Sequence, residues 1–204
     1  MGDVISTIFG KASFLILAGG KSGRMGIDKA DLLYRDETFL DHLISKAKKI
    51  GFEEILVSGK QIPDLIPDRG PLGGIYSGLL SITKPLCFVI SVDLPQISEN
   101  TIRNMIEQHT NSGKYLITVL NHRGRIEPLI GVFDRSLCET IRKEIEIRPV
   151  SVFRLFDIAG FSCYDHTNSE NEIRSVNTLE DYEWLIKQDE KAIAEGDRLC
   201  MRSY

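Results

Sequence analysis

Short apolar runs alternate with longer segments of helical periodicity along most of the chain. The predicted strands are Phe14–Leu17, Ile55–Val57, Leu86–Val92, Tyr115–Leu120 and Ile126–Phe133. Leu86–Val92 is continuously apolar and rich in β-branched residues, which is typical of a central strand covered on both faces. The polar turn Asn121–Arg125 joins the last two strands.

Apolar residues at helical spacing predict helices between these strands. The predicted helices are Phe39–Ile50, Gly74–Ile82, Glu99–His109, Asp134–Ile147, Val150–Phe156 and one that begins at Thr178. Lys46, Lys48 and Lys49 lie near the end of the first helix, where they complement its macrodipole. The last helix begins with a capping-box pattern, Thr178 and Asp181, and is expected to fray or project beyond Asp189. The alternation predicts an α/β domain with a mainly parallel sheet.

Composition narrows the class of protein. The 204 residues predict one domain over residues 1–204, with a core at about 14–187, an N-terminal extension at 1–12 and a C-terminal tail at 188–204. A formal charge of −4 gives no bulk electrostatic support for nucleic-acid or membrane-surface partners. The four cysteines form no CxxC pair, and the four histidines form no metal or triad pattern. Without an apolar span or a secretory pattern, a cytoplasmic protein is expected.

The segment Leu17–Lys29 follows the first strand directly and carries glycines together with three cations, Lys21, Arg24 and Lys29. Glycine backbone lets N–H groups approach an anion closely, and these cations match the charge of a triphosphate. Its spacing fits neither GxGxxG nor GxxxxGK[ST]. A tight turn with solvated cations is the alternative interpretation. Because ligands of open α/β sheets bind at the carboxyl ends of strands, the segment predicts a nucleotide-phosphate site.

Asp93 directly follows the predicted central strand and precedes Leu94-Pro95. A carboxylate there faces the crevice in which such sheets bind ligands. Mg²⁺ takes one or two carboxylates plus phosphate oxygens, so Asp93 is the candidate magnesium ligand. The alternative is an aspartate that opens a turn before proline.

The stretch Asp68–Gly74 is rich in proline and glycine and indicates either a surface turn or a loop that recognises a base. A carboxylate such as Asp68 can accept both N1–H and N2–H₂ of guanine, and glycine backbone would then lie against the base or sugar. Glu127, before Pro128, is either a solvated edge residue or part of a site. Asn177 is interpreted as a flank of the last helix cap.

The motifs LAGGKSGRMGIDKADL, RGPLGGI, SVDLPQI, RIEPLIGVF, RPVSVF and SVNTLEDYEWL occur in this order. Together they resemble the molybdenum cofactor guanylyltransferase family, of the MobA type, over about Phe14 to Leu185. The resemblance implies a three-layer α/β/α fold like that of nucleotide-diphospho-sugar transferases. It also implies transfer of GMP from GTP to molybdopterin, with molybdenum bound, giving the dinucleotide and pyrophosphate.

The resemblance implies residue roles as well. Contacts to the phosphates and ribose of GTP fall on Leu17, Ala18, Gly19 and Lys29. Base contact falls on Asp68, Mg²⁺ coordination on Asp93, and stabilisation of developing charge on Lys29 and Arg24. Ser58 stands where the family has an asparagine near the guanine, and its shorter side chain is left out of the predicted site. Transient contacts with molybdoenzymes, their chaperones or other cofactor-biosynthesis proteins are also implied.

Three alternatives remain open. Molybdopterin cytidylyltransferases usually carry Leu-Ala-Ala-Gly, where Gly20 here makes Leu-Ala-Gly-Gly. Sugar-phosphate nucleotidyltransferases usually have proline before the lysine of the motif, where this chain has Asp28. A non-catalytic GTP-binding module is the third alternative, and the joint presence of Asp93, Lys29 and Arg24 disfavours it.

Overall fold

A computed structural model describes residues 9–19 and 28–201, with only the backbone from residue 192 onward. The strands of the main sheet are β1 (Ala12–Leu17), β4 (Ile55–Ser58), β5 (Leu86–Ser91), β6 (Ile117–His122), β7 (Arg125–Asp134) and β8 (Ser162–Asp165). A small separate hairpin consists of β2 (Leu33–Tyr34) and β3 (Glu37–Thr38). The sheet order is β4-β1-β5-β7-β6-β8. Every neighbouring pair is parallel except those that involve β7, so the prediction of a mainly parallel sheet is confirmed.

Helices cover both faces of this sheet. They are α1 (Phe39–Ile50), α2 (Gly70–Ser81), α3 (Glu99–Ser112), α4 (Cys138–Ile147), α5 (Val152–Ala159) and α6 (Leu179–Met201). Side chains alternate along β1: Phe14 and Ile16 join a core with α1, α3 and α6. Leu15 and Leu17 join a second core with α2, α4 and α5. Two cores on opposite faces of one sheet confirm the expected three-layer α/β/α architecture.

The first helix forms over the residues that the sequence predicts, because both of its ends carry standard caps. The Thr38 hydroxyl accepts the backbone N–H of Asp41 at 3.0 Å. Gly51 ends the helix with a φ of 110°, a left-handed conformation that glycine adopts without steric cost.

The prediction for the start of α2 is wrong, since the helix begins at Gly70 and not at Gly74. Pro71 lies in the first turn, where a missing backbone N–H costs nothing. Glycine and proline hid the helical period in the sequence. The strand β8 was also missed, because Ser-Cys-Tyr-Asp at a half-exposed sheet edge carries little apolar signal. The start of α4 was predicted too early, since residues 135–137 form a 3₁₀ turn.

The last helix, α6, confirms the predicted capping box. The Thr178 hydroxyl accepts the N–H of Asp181 at 3.2 Å, and Asp181 accepts the N–H of Thr178 at 3.1 Å. Of the two outcomes expected beyond Asp189, fraying is wrong, because α6 continues to Met201, and projection stays a prediction. The buried Asp189 carboxylate accepts hydrogen bonds from Nε of Arg35 at 2.8 Å and from the Tyr34 hydroxyl at 3.2 Å. These two bonds attach the β2–β3 hairpin to α6. Within the described residues, no helix has the length and apolar character needed to cross a bilayer.

Candidate active site

The carboxyl ends of β4, β1 and β5 meet at one edge of the sheet. Leu17, the last residue of β1, pairs in register with Ser58 of β4 and with Ser91 of β5. Beyond the strands, Val92 donates its N–H to Leu17 at 3.1 Å and Ala18 donates to Ser58 at 3.0 Å. The predicted nucleotide contacts at residues 17–19 therefore lie at the edge where open α/β sheets bind ligands.

The backbone after β1 crosses the backbone after β4 in direct contact. A Cβ atom on Gly59 would lie 2.4 Å from Cα of Gly19, and Gly59 has a φ of +87°. Only glycine can occupy position 59 without displacing the neighbouring backbone. This contact holds the first residues of the predicted phosphate segment in place.

Lys29 and Asp93, far apart in sequence, form one cluster at this edge. The Lys29 ammonium Nζ lies 3.0 Å from Oδ2 of Asp93, and both side chains are largely buried. The same Nζ donates to Oδ1 of Asn177 at 2.6 Å. Lys29 is held in a short 3₁₀ turn, whose N-terminal residue Asp28 caps the N–H of Ala30. The structure thus places a cation and a carboxylate side by side where a polyphosphate would reach both.

Asn177, which the sequence interpretation took for a helix flank, belongs to the same cluster as Lys29 and Asp93. Its side chain contacts Lys29, and its neighbour Val176 donates its N–H to the Asp93 carbonyl at 2.9 Å. The preceding 3₁₀ turn, residues 170–173, is held by Glu172, which accepts the Thr101 hydroxyl at 2.9 Å. Burial tends to raise the pKa of Glu172, but hydrogen bonds led by that from Thr101 outweigh it and lower the pKa. The only sequence signal for Asn177 is the SVNTLEDYEWL motif.

The Asp93 carboxylate fits a divalent ion that arrives with a nucleotide. No group of three or more His, Cys, Asp or Glu side chains suited to a metal occurs among the described residues. A metal at Asp93 would therefore complete its coordination with phosphate oxygens and water, which is how Mg²⁺ is commonly held. The donor set at this position is compatible with magnesium.

The start of α2 covers the ends of β1 and β4. A Cβ on Gly74 would lie 2.7 Å from the Ser58 hydroxyl and 3.3 Å from the Leu17 side chain. Gly74 therefore packs closely against the ends of both strands, and the expectation that the glycine backbone of Asp68–Gly74 lies against a base or sugar stays a prediction. Asp68 itself is exposed, with a φ of 57°, just before the helix.

Arg24 and Lys21 lie outside the described residues, so their predicted roles stay predictions.

A second cleft adjoins the cluster through Asn177. Ile130 of β7 pairs with Ile90 of β5 in antiparallel register, so the residues of β7 before Ile130 extend past the carboxyl end of β5. They line a cleft of about 630 Å³ together with the segment 170–177. Glu127 lies in its wall and accepts Nε of Arg125 at 2.6 Å. The cleft carries the cations Arg125 and Arg174 beside Glu127.

Comparison with known proteins agrees with this arrangement. The family described as MobA-like NTP transferase domain matches residues 14–151. The chain is 32% identical to the probable molybdenum cofactor guanylyltransferase of Carboxydothermus hydrogenoformans over 187 residues, which cover 84% of this chain and 93% of that relative. It is 29% identical to the corresponding protein of Flavobacterium johnsoniae, with 81% and 92% covered.

Among solved structures, molybdopterin-guanine dinucleotide biosynthesis protein A from Archaeoglobus fulgidus is similar in fold. Its TM-score is 0.69 at 16% identity, covering 88% of this chain and 99% of that one. The architecture is that of the nucleotide-diphospho-sugar transferases, as the resemblance implied. The match of the family to more than half of the chain, together with the close relatives, shows that this chain belongs to the MobA-like NTP transferase domain family.

Proposed function

We propose that the protein transfers GMP from GTP to molybdopterin, with molybdenum bound, and releases pyrophosphate. The observation that carries the proposal is the pairing of Lys29 with Asp93 at the carboxyl ends of β1 and β5. Curated relatives at about 30% identity over most of their length are named molybdenum cofactor guanylyltransferases, and this supports the choice of substrates.

The nucleotide is proposed to lie along the edge formed by β4, β1 and β5. Its phosphates and ribose contact Leu17, Ala18 and Gly19, and its phosphates reach Lys29. Asp68, exposed at the start of α2, accepts N1–H and N2–H₂ of guanine. Cytosine lacks that pair of donors, so this contact favours GTP over CTP.

The transfer is a substitution at the α-phosphorus of GTP. An oxygen of the terminal phosphate of the pterin forms a new bond to the α-phosphorus, and the bond from that phosphorus to the β-phosphate bridge breaks. Pyrophosphate leaves with the electron pair of the broken bond. The attacking phosphate is already ionised near neutral pH, so the reaction needs no general base, and positioning with charge neutralisation accounts for catalysis.

Lys29 is proposed to stabilise the negative charge that develops on the phosphates, with Arg24 as a second cation. Asp93 would hold Mg²⁺, and Asn177 orients the Lys29 ammonium through its 2.6 Å hydrogen bond. When bound, the ion supplies neutralisation of phosphate charge.

The acceptor is proposed to enter through the cleft beside Asn177. Arg125 and Arg174 line it with Glu127 and Glu170, and an anionic acceptor would compete with Glu127 and Asp181 for these two arginines. Glu127 offers a carboxylate to the aminopyrimidinone edge of a pterin, which has the same adjacent donors as guanine. Replacing Glu127 by glutamine should therefore raise the KM for molybdopterin and leave the KM for GTP near its wild-type value.

Pyrophosphate release tests the proposal against its rivals. Wild-type protein is assayed with Mg²⁺ and four mixtures: GTP with molybdopterin, CTP with molybdopterin, GTP with a sugar phosphate, and GTP alone. The proposal expects rapid release only from the first mixture. A preference for CTP would make the protein a cytidylyltransferase, turnover with the sugar phosphate would change the acceptor class, and GTP binding without turnover would leave a binding module.

A further inference from the structure

Lys46 of α1 donates to two backbone carbonyls of the loop that follows Asp93. Its Nζ lies 2.9 Å from the oxygen of Pro95 and 2.5 Å from the oxygen of Ile97. The sequence grouped Lys46 with Lys48 and Lys49 as cations that complement the end of α1. The structure separates it from them, because Lys49 is 75% exposed whereas Lys46 reaches into the protein.

Lys46 contacts the short loop that joins Asp93 to α3. Its side chains Leu94, Pro95 and Ile97 are buried, so the loop carbonyls turn away from bulk water. A buried carbonyl without a hydrogen-bond donor costs about 1–3 kcal/mol. Lys46 supplies donors to two such carbonyls with one side chain.

The Lys46 ammonium makes these contacts at the cost of losing part of its hydration. Burial lowers its pKa from the ordinary value of 10.5 to about 8. The nearby Arg35 lowers the pKa further, and the carboxylates of Glu99, Glu172 and Glu37 offset part of the effect. A solvated lysine at the end of a helix would meet no such cost.

Asp93 is constrained on its other sides by regular structure. It follows β5, and its own carbonyl accepts the N–H of Val176. Among the described residues, the amides of this loop make two long backbone hydrogen bonds, Leu94 to Ser91 at 3.3 Å and Ile97 to Leu94 at 3.4 Å. The two contacts from Lys46, at 2.9 and 2.5 Å, are shorter than both of these backbone hydrogen bonds.

We infer that Lys46 is a positioning residue for Asp93: by holding the carbonyls of Pro95 and Ile97 it sets the carboxylate where a metal–nucleotide complex meets it. The inference rests on the proposed function for the identity of that complex. It adds a residue on α1, outside the strand ends that form the candidate site, to the determinants of metal-dependent nucleotide binding.

Lys46→Met and the control Lys49→Met separate this role from general stability. Lys49 lies on the same helix and pairs with Glu99 of α3, so its substitution removes a charge from the same helix but none of the hydrogen bonds to the carbonyls of Pro95 and Ile97. Two measurements are made on full-length protein well below its unfolding temperature. The first is amide hydrogen exchange at Leu94, Gln96 and Ile97. The second is calorimetric GTP affinity with Mg²⁺ and with chelator.

In the Lys46→Met variant, the loop amides should exchange their hydrogens faster than in the wild type. The ratio of GTP affinity with Mg²⁺ to GTP affinity with chelator should be about 10-fold smaller than in the wild type. This is the usual size of the effect when a residue that positions a metal ligand is replaced. Lys49→Met should match wild type in both measurements. Faster exchange with an unchanged affinity ratio would make Lys46 a purely structural residue, and unchanged exchange would show that it does not hold the loop. Failure of wild type to bind GTP would instead contradict the proposed function, while the exchange result would still decide whether Lys46 holds the loop.

Discussion

At the scale of single residues, the sequence singles out Lys29 and Asp93 by their position relative to apolar strands. Asp93 comes directly after the predicted strand Leu86–Val92, Lys29 ends the glycine-rich segment that follows β1, and the structure brings the two side chains together. Asn177 and Lys46 were not assigned to the site, because their roles depend on partners far away in sequence. Asn177 meets Lys29 across 148 positions, and Lys46 meets Pro95 across 49. No local pattern encodes such contacts.

The central residue-scale prediction concerns Lys29 and Asp93. Lys29→Ala and Asp93→Ala should each lower the rate of pyrophosphate release by about 10²-fold or more, because each removes a group that meets the phosphates. Folding, followed by circular dichroism, should persist in both variants. Lys143→Ala is the matched control, since Lys143 is 68% exposed on α4. Near wild-type turnover of either site variant would refute the role given to that residue.

A second residue-scale prediction concerns the crossing of the chains after β1 and β4. Gly59→Ala would place a Cβ 2.4 Å from Cα of Gly19, in addition to the strain of a positive φ. We expect a loss of about 2–4 kcal/mol in the free energy of unfolding by urea. Gly113 has a φ of +54° but open space around the position of a Cβ atom. Gly113→Ala should therefore lower the free energy of unfolding by only about 1 kcal/mol. Equal losses would show that the close approach contributes nothing.

At the scale of elements, the sequence predicts the start of a helix well where a cap marks it, whereas the predicted starts of α2 and α4, which lack a side-chain cap, are wrong. Thr38 and Gly51 mark both ends of α1, and Thr178 with Asp181 marks the start of α6. The start of α2 has no side-chain cap, and its glycines allow close packing, with Gly74 against Ser58 and Gly78 against Leu15. Its first turn was therefore mistaken for a loop. Tertiary contact, not local sequence, sets that boundary.

The element-scale prediction concerns the contact of α1 with the loop after Asp93. The folded-state pKa of Lys46, about 8, lies below its ordinary 10.5, so the unfolded chain binds more protons between these values. The contribution of Lys46 to the free energy of unfolding therefore rises with pH. Relative to Lys46→Met, the free energy of unfolding of wild type should increase by about 2 kcal/mol between pH 7 and pH 9.5. Urea titrations at both pH values measure the difference.

The comparison with Lys46→Met cancels the titration of shared groups that do not interact with Lys46. Lys49→Met should follow wild type at both pH values, because Lys49 is exposed. A constant difference between wild type and Lys46→Met over this range would mean that the Lys46 ammonium is solvated.

At the scale of the whole molecule, one antiparallel strand explains how the proposed nucleotide site and the proposed acceptor cleft come to share an edge. Because β7 runs against β5, it begins at the edge where β1 and β5 end. Glu127 thereby lies in the cleft that adjoins Asn177 and the Lys29–Asp93 pair. The sequence predicted β6, β7 and the turn that joins them. The sheet order that joins the two regions follows from the packing of the two cores.

The most direct test of the account follows each phosphate of GTP through the reaction. GTP labelled at the α-phosphate and GTP labelled at the γ-phosphate are supplied separately, with Mg²⁺ and molybdopterin, to wild type and to Lys29→Ala. The account predicts that wild type transfers the α-label to a molybdopterin guanine dinucleotide and releases the γ-label in pyrophosphate, one for one. Both products should fall together by about 10²-fold in Lys29→Ala. Transfer of the γ-label to the pterin, or nucleotide turnover without a labelled dinucleotide, would contradict guanylyl transfer at this site.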